Sequence, residues 1–164
     1  MLKTFLILMV LTSGKLFAKE DLATVDYVDL NQYAGKWYEI TSIPQKFTKS
    51  CLYQTAEYGA IDSQSVSVLN TCYKGKKKRG PRRTVRNVKT TIKGIARVDD
   101  NTNADLTVTF SVFFGWIKFD GDYKVLALDD DYKYVLVGSE DRKSLWILSR
   151  TKSCLLYTSP SPRD

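Results

Sequence analysis

Between Lys36 and Ser149 the chain repeats one pattern eight times: a short run rich in Val, Ile, Thr, Tyr and Phe, then a cluster of turn-forming residues. The runs are Lys36 to Ile43, Leu52 to Ala60, Ser65 to Tyr73, Thr90 to Asp99, Asp105 to Phe114, Asp122 to Leu128, Tyr134 to Gly138 and Leu145 to Ser149. Ile61-Asp62-Ser63, Asp99 to Asn103 and Asp129 to Asp131 stand between them as turns. Short strands at even spacing predict an all-β domain, with each strand antiparallel to the last. Eight in meander order suit an up-and-down barrel, whose closure leaves no edge to aggregate; an open sandwich is the competing architecture. At 164 residues the chain supports one such core.

Side-chain alternation indicates what the inside is for. Leu106, Val108, Phe110, Val112 and Phe114 fall on one face of their strand, opposite Thr107, Thr109 and Ser111. Ile92, Gly94, Ala96 and Val98 give a second inner face of smaller residues, leaving room opposite larger ones. Such a barrel is either filled by its own side chains or holds one small apolar ligand, and periodicity alone fits both.

Composition narrows the chemistry. The chain has no His, which removes the commonest general base near neutral pH and the commonest metal ligand. The three cysteines, Cys51, Cys72 and Cys154, show no Cys-x-x-Cys spacing, so no metal site or cofactor is expected. A hairpin turning near Ile61-Asp62 would set Cys51 directly opposite Cys72, which predicts a cross-strand disulfide; a bulge or another turn would shift that register.

The two ends read differently from the middle. Met1 to Ala18 has Lys3, an apolar run from Phe5 to Leu11 and Leu16-Phe17-Ala18 before Lys19, the layout of a secretory signal peptide. Residues 19–28 follow as a linker and 29–153 as the barrel. Cys154 to Asp164 changes abruptly to a Pro/Ser segment, and matches the translation of a transposon adapter used to prepare sequencing libraries, so it is set aside as non-native.

Three segments carry a resemblance. Gly35-Lys36-Trp37-Tyr38-Glu39-Ile40, Gly121 to Tyr132, and Leu145-Trp146-Ile147-Leu148-Ser149-Arg150-Thr151, in that order, resemble the bacterial lipocalin family, which is similar to apolipoprotein D. The resemblance implies an eight-stranded barrel, closed at one end and open at the other. It places Trp37 at the closed end with the Arg150 guanidinium across its indole, beside Gly35 and a turn holding Asp130 and Tyr132. Asp130 or Asp131 would accept from backbone amides of that turn. Family members often carry a lipidated cysteine just after the signal peptide; with no cysteine before Cys51, a soluble periplasmic or secreted protein is expected. The family's C-terminal helix, packed outside the barrel, would begin where the adapter-like segment stands.

In a meander, the connections after odd-numbered strands lie at the open end. Lys74 to Lys89 holds nine basic residues and no acidic one, among them Lys76, Lys77, Lys78, Arg79, Arg82 and Arg83. As a loop at the rim, it would attract an anionic headgroup or an anionic membrane surface; nucleic-acid binding fits poorly with an export signal. Trp116 and Phe119, with Phe114, would form an apolar lip, and Tyr123 would join Leu106, Val108, Phe110 and Val112 on the wall. The expected role is non-enzymatic carriage of fatty acids or lysophospholipids in envelope lipid maintenance. A pigment or other aromatic ligand fits the same cup, and an enzyme acting on a lipophilic substrate would have to draw on Glu39, Glu57, Tyr58 or Tyr123.

Overall fold

A computed structural model describes residues 21–45, 48–77, 85–112 and 115–152, with the backbone alone at 76–77 and 85–87. A one-turn helix α1 (Leu30–Tyr33) precedes β1 (Gly35–Ser42), β2 (Tyr53–Asp62), β3 (Ser65–Lys77), β4 (Val85–Val98), β5 (Asp105–Val112), β6 (Ile117–Leu128), β7 (Tyr134–Gly138) and β8 (Leu145–Ser149). Each strand pairs with the next and β8 returns to β1, closing an eight-stranded antiparallel barrel. The apolar faces turn inward: Leu106, Val108, Ala96, Val66, Val68, Val125, Val135, Val137 and Leu148 are all buried.

The signal peptide, the adapter-like segment, Phe114, Lys78, Arg79, Arg82 and Arg83 lie outside the described residues. Within the stretch read as a linker, Val25 and Val28 donate backbone hydrogen bonds to Val125 and Thr102, and Val28 is buried in the core.

Three strand details differ from expectation. The β2–β3 hairpin pairs Tyr53 with Tyr73 and Ala60 with Val66, and turns at residues 62–65 rather than at Ile61-Asp62. There the Asp62 carboxylate accepts from the Gln64 amide at 2.8 Å, the local bond by which aspartate favours a turn. Gln54, not Cys51, therefore faces Cys72. The Cys51–Cys72 disulfide forms nonetheless, with Cα atoms 5.4 Å apart, because a turn closed by Cys51 N–H to Thr48 O delivers Cys51 to the top of the ladder.

The stretch read as a basic rim loop is largely strand. The β3–β4 ladder runs unbroken from Ser65–Arg97 out to Lys77–Val85, so Lys74, Lys76, Lys77, Arg86 and Lys89 all sit in paired strands. Charge does not break a strand, since the pairing uses only backbone groups. The third mouth connection is likewise shorter than expected, because β6 begins at Ile117.

Candidate ligand-binding site

The closed end is built from both ends of the barrel sequence. Asp29 caps α1 by accepting from the amides of Asn31 and Gln32, and α1 brings Tyr33 inward beside Trp37, their rings 5.1 Å apart. Trp37 is fully buried, and its indole N–H donates to the Tyr33 carbonyl at 2.9 Å. The Arg150 guanidinium lies 3.9 Å from the Trp37 ring centroid and donates to the carbonyls of Gln32, Tyr33, Lys36 and Tyr132. Its planar array of donors matches four converging carbonyls, which Lys could not do. Gly35, at φ +98°, lets the chain pass beneath it; a Cβ there would lie 3.3 Å from the guanidinium and strain the backbone. Tyr132 belongs to the same floor, its hydroxyl accepting from the Asp29 amide at 2.9 Å. The acid that holds the adjoining turn is Asp129, which accepts from the amides of Lys133 and Tyr134. Asp130 is exposed and Asp131 pairs with Lys133, so the extra acidic residues move this role one position earlier than expected.

Above Trp37 the phenols of buried Tyr33 and Tyr58 and half-buried Tyr123 join in a chain: Tyr33 to Tyr123 at 2.6 Å, and Tyr123 donating to Tyr58 at 2.9 Å. Burial pushes Tyr58 up to about 12, opposed in part by the Tyr123 hydrogen bond, and raises Tyr33 and Tyr123 well above the ordinary range. The fold thus favours neutral phenols. This stability is fully present below about pH 10, where the unfolded chain's tyrosines are also neutral, and is lost as pH rises toward 12. In a spectrophotometric titration of the ten tyrosines, these three should ionise only as the barrel opens. Ionisation of every tyrosine near pH 10 with the fold intact would contradict it.

Around the phenol rings, Leu106, Val108 and Val125 help to line a cavity leaving about 20 Å³ to the centre of a water-sized sphere. That is room for about one water, against several hundred Å³ for a typical ligand pocket. The floor end is thus filled, and the packing changes in the half toward the mouth. There the inner face of β5 loosens, from buried Leu106 and Val108 to half-buried Phe110 and Val112. Phe110 stacks on Phe119 at 5.4 Å, over Gly94, where a Cβ would come within 2.8 Å of the Phe110 ring. Phe119 is 44% exposed, at the upper wall, but Trp116 is 91% exposed at the turn and stays out of the cup.

A sequence model of the lipocalin-like domain matches residues 28–154. The chain belongs to the lipocalin family. Among similar proteins, this lipocalin is 35% identical over 152 residues to the outer membrane lipoprotein Blc of Vibrio cholerae, covering 90% of this chain and 80% of that protein. It is 36% identical over 138 residues to temperature-induced lipocalin-1 of Arabidopsis thaliana, covering 81% and 68%. Insecticyanin from the tobacco hornworm Manduca sexta superposes with a TM-score of 0.60 at 25% identity, over 83% of this chain and 70% of its own. Lipocalins typically bind small hydrophobic molecules, which fits an apolar wall that opens toward one end of the barrel.

The polar groups of this lipocalin's interior were less visible in the sequence. Of the four residues an enzyme would draw on, Glu57 forms an ion pair with Lys36 at 2.9 Å, with both side chains about 40% exposed, and Tyr58 and Tyr123 are engaged in the phenol chain. Glu39 stands on the inner wall, two residues above Trp37. Its Oε1 accepts from Gln54 Nε2 at 2.9 Å and from Ser42 Oγ at 2.7 Å. Ser42 reaches it because the β1–β8 register slips between Glu39 and Thr41, turning Ser42 inward opposite Trp146. Among the described residues, no group of three or more His, Cys, Asp or Glu could hold a metal ion.

Proposed function

We propose that this lipocalin carries fatty acids or lysophospholipids, in the periplasm or outside the cell, as part of envelope lipid maintenance. The observation that carries this reading is the β5 face. It passes from buried Leu106 and Val108 to half-buried Phe110 and Val112, toward the mouth beside a β3–β4 ladder bearing Lys74, Lys76, Lys77, Arg86 and Lys89. An acyl chain would lie against Phe110, Val112 and Phe119, and burial would contribute about 0.8 kcal/mol per methylene. The basic residues of the outer ladder, with Lys78, Arg79, Arg82 and Arg83 between its strands, would hold an anionic head or rest on an anionic membrane surface. Near such a surface each is worth about 1 kcal/mol. The leader-like Met1 to Ala18 supports export, and the similarity to outer membrane lipoprotein Blc supports an envelope location.

The test is to replace the six basic residues from Lys76 to Arg83 with Gln or Ser and titrate both forms with acidic and neutral single-chain lipids. Binding of acidic lipids should weaken about tenfold or more while neutral lipids bind as before. Equal loss for both would overturn the basic rim, and no binding of either by the unaltered protein would overturn the carrier reading.

A further inference from the structure

The inner wall just above Trp37 is not apolar. Trp37, Ala56 and Asn70 are matched across β1, β2 and β3, so Asn70 shares the inward face of the two buried residues. Gln54 is matched with Cys72 one step nearer the mouth, on the same face, and Glu39 extends β1 to meet it. Two of these groups carry an acceptor oxygen that receives no hydrogen bond among the described residues, buried at Asn70 and half-buried at Glu39. Asn70 Oδ1 is buried and has no hydrogen-bond partner. Glu39 receives its two hydrogen bonds on Oε1 alone, from the neutral groups of Gln54 and Ser42, and forms no ion pair among the described residues. An orphaned acceptor in a low-dielectric interior costs about 1–3 kcal/mol, more when charged. Asn70 Oδ1 is incomplete until a donor arrives, and half-buried Glu39, two residues nearer the mouth, keeps one carboxylate oxygen for a second.

We infer that Glu39 and Asn70, with Gln54 and Ser42 fixing the Glu39 carboxylate, form a subsite for a hydrogen-bond donor on an otherwise apolar ligand. The donor is an ammonium or a hydroxyl group. It would rest at the base of the open half, since Glu39 lies about 7 Å along β1 from Trp37 and the space below is filled. An ionised carboxylate is disfavoured here, because it would set like charges together in a half-buried site. An ionised fatty acid is therefore expected to orient with its head at the basic rim. The inference rests on the carrier reading above, and sharpens it by separating two classes of amphiphile that the rim and the apolar wall do not tell apart.

Decylamine, decanol and decanoate share one chain length and differ in what the head donates. Each is titrated by calorimetry, below its micelle concentration, into the full-length protein and into Glu39→Gln and Asn70→Leu. The unaltered protein should bind the amine and the alcohol more tightly than the acid. Glu39→Gln should weaken the amine about tenfold, weaken the alcohol less and leave the acid unchanged or tighter. Asn70→Leu serves as the second variant: it removes the orphaned acceptor, so the melting temperature should hold or rise while amine and alcohol binding fall severalfold. If the unaltered protein binds all three alike, or neither variant changes the order, the subsite is refuted and the carrier reading stands. If the unaltered protein binds none of the three, both fall together.

Discussion

Trp37→Ala should cost the barrel about 3–5 kcal/mol, the range for removing a large aromatic side chain from a core. Trp37 is fully buried, contacts Tyr33 and holds Arg150 against its ring face. Much of the loss would be the cavity itself, because α1 is tied in place by Asp29 and cannot collapse inward. A further part would come from Arg150, which would keep its four carbonyl partners but lose the ring against which it is aligned. Against domain stabilities of about 5–15 kcal/mol, that loss would remove a third or more of a typical total. Urea denaturation followed by far-ultraviolet circular dichroism measures it, and a loss below about 1 kcal/mol would show that Trp37 is not the anchor of the floor. Paired with Arg150→Met in a double-mutant cycle, the coupling should be about 0.5–2 kcal/mol, the range for a cation above an indole.

The second large effect concerns the other end of the barrel. Replacing Cys51 and Cys72 together by Ser should destabilise the fold by about 3 kcal/mol, on a chain-entropy estimate for the 21-residue separation. The effect should be unequal across the molecule. Cys51 sits in a turn before β2, and among the described residues the Leu52 amide to Tyr73 carbonyl bond and the disulfide join this turn to β3. Hydrogen exchange should therefore quicken at Thr48 to Leu52 and at the outer β3–β4 ladder. The floor residues Tyr33, Trp37 and Val28 should be protected as before, relative to the lowered global stability. A variant as stable as the parent in urea would show that the covalent link is not needed to hold the mouth.

How much of this was legible depended on whether the information was local. The closed eight-strand order was readable, because alternation in Leu106 to Val112 and the turn clusters around residues 62, 100 and 130 are short-range signals. Trp37 and Arg150 could be joined only through the family resemblance, since they lie far apart in sequence. Register was less accessible. The turn of the β2–β3 hairpin is fixed by Asp62 bonding to Gln64, and moving it two residues along replaced Cys51 by Gln54 opposite Cys72. The basic stretch has the composition of a loop, and the pairing that carries β4 out to Val85 depends on β3 and is not a local signal. The inner-wall cluster was hidden for a different reason: strict alternation predicts Thr41 beside Glu39, and only the slip in the β1–β8 pairing brings in Ser42. A bulge depends on the partner strand, and no single strand's sequence announces it. The seating of Val28 in the core likewise depends on residues far along the chain, Thr102 accepting from its amide and Asn103 donating to its carbonyl.

Closure also sets the order in which the molecule can assemble. The hairpins from β2 to β7 form between neighbours, but the β1–β8 seam joins Tyr38 to Ser149, almost the full span of the domain. Bringing such distant segments together carries a large loop-closure entropy and slows folding relative to a protein of local contacts. Until Leu145–Ser149 arrives, β1 and β7 each present an unpaired ladder, and Trp37 and Leu148 remain uncovered. The last strand of the barrel to leave the ribosome is thus the one that completes both the wall and the floor, and until it is made the open edges of β1 and β7 are exposed to pairing with other chains.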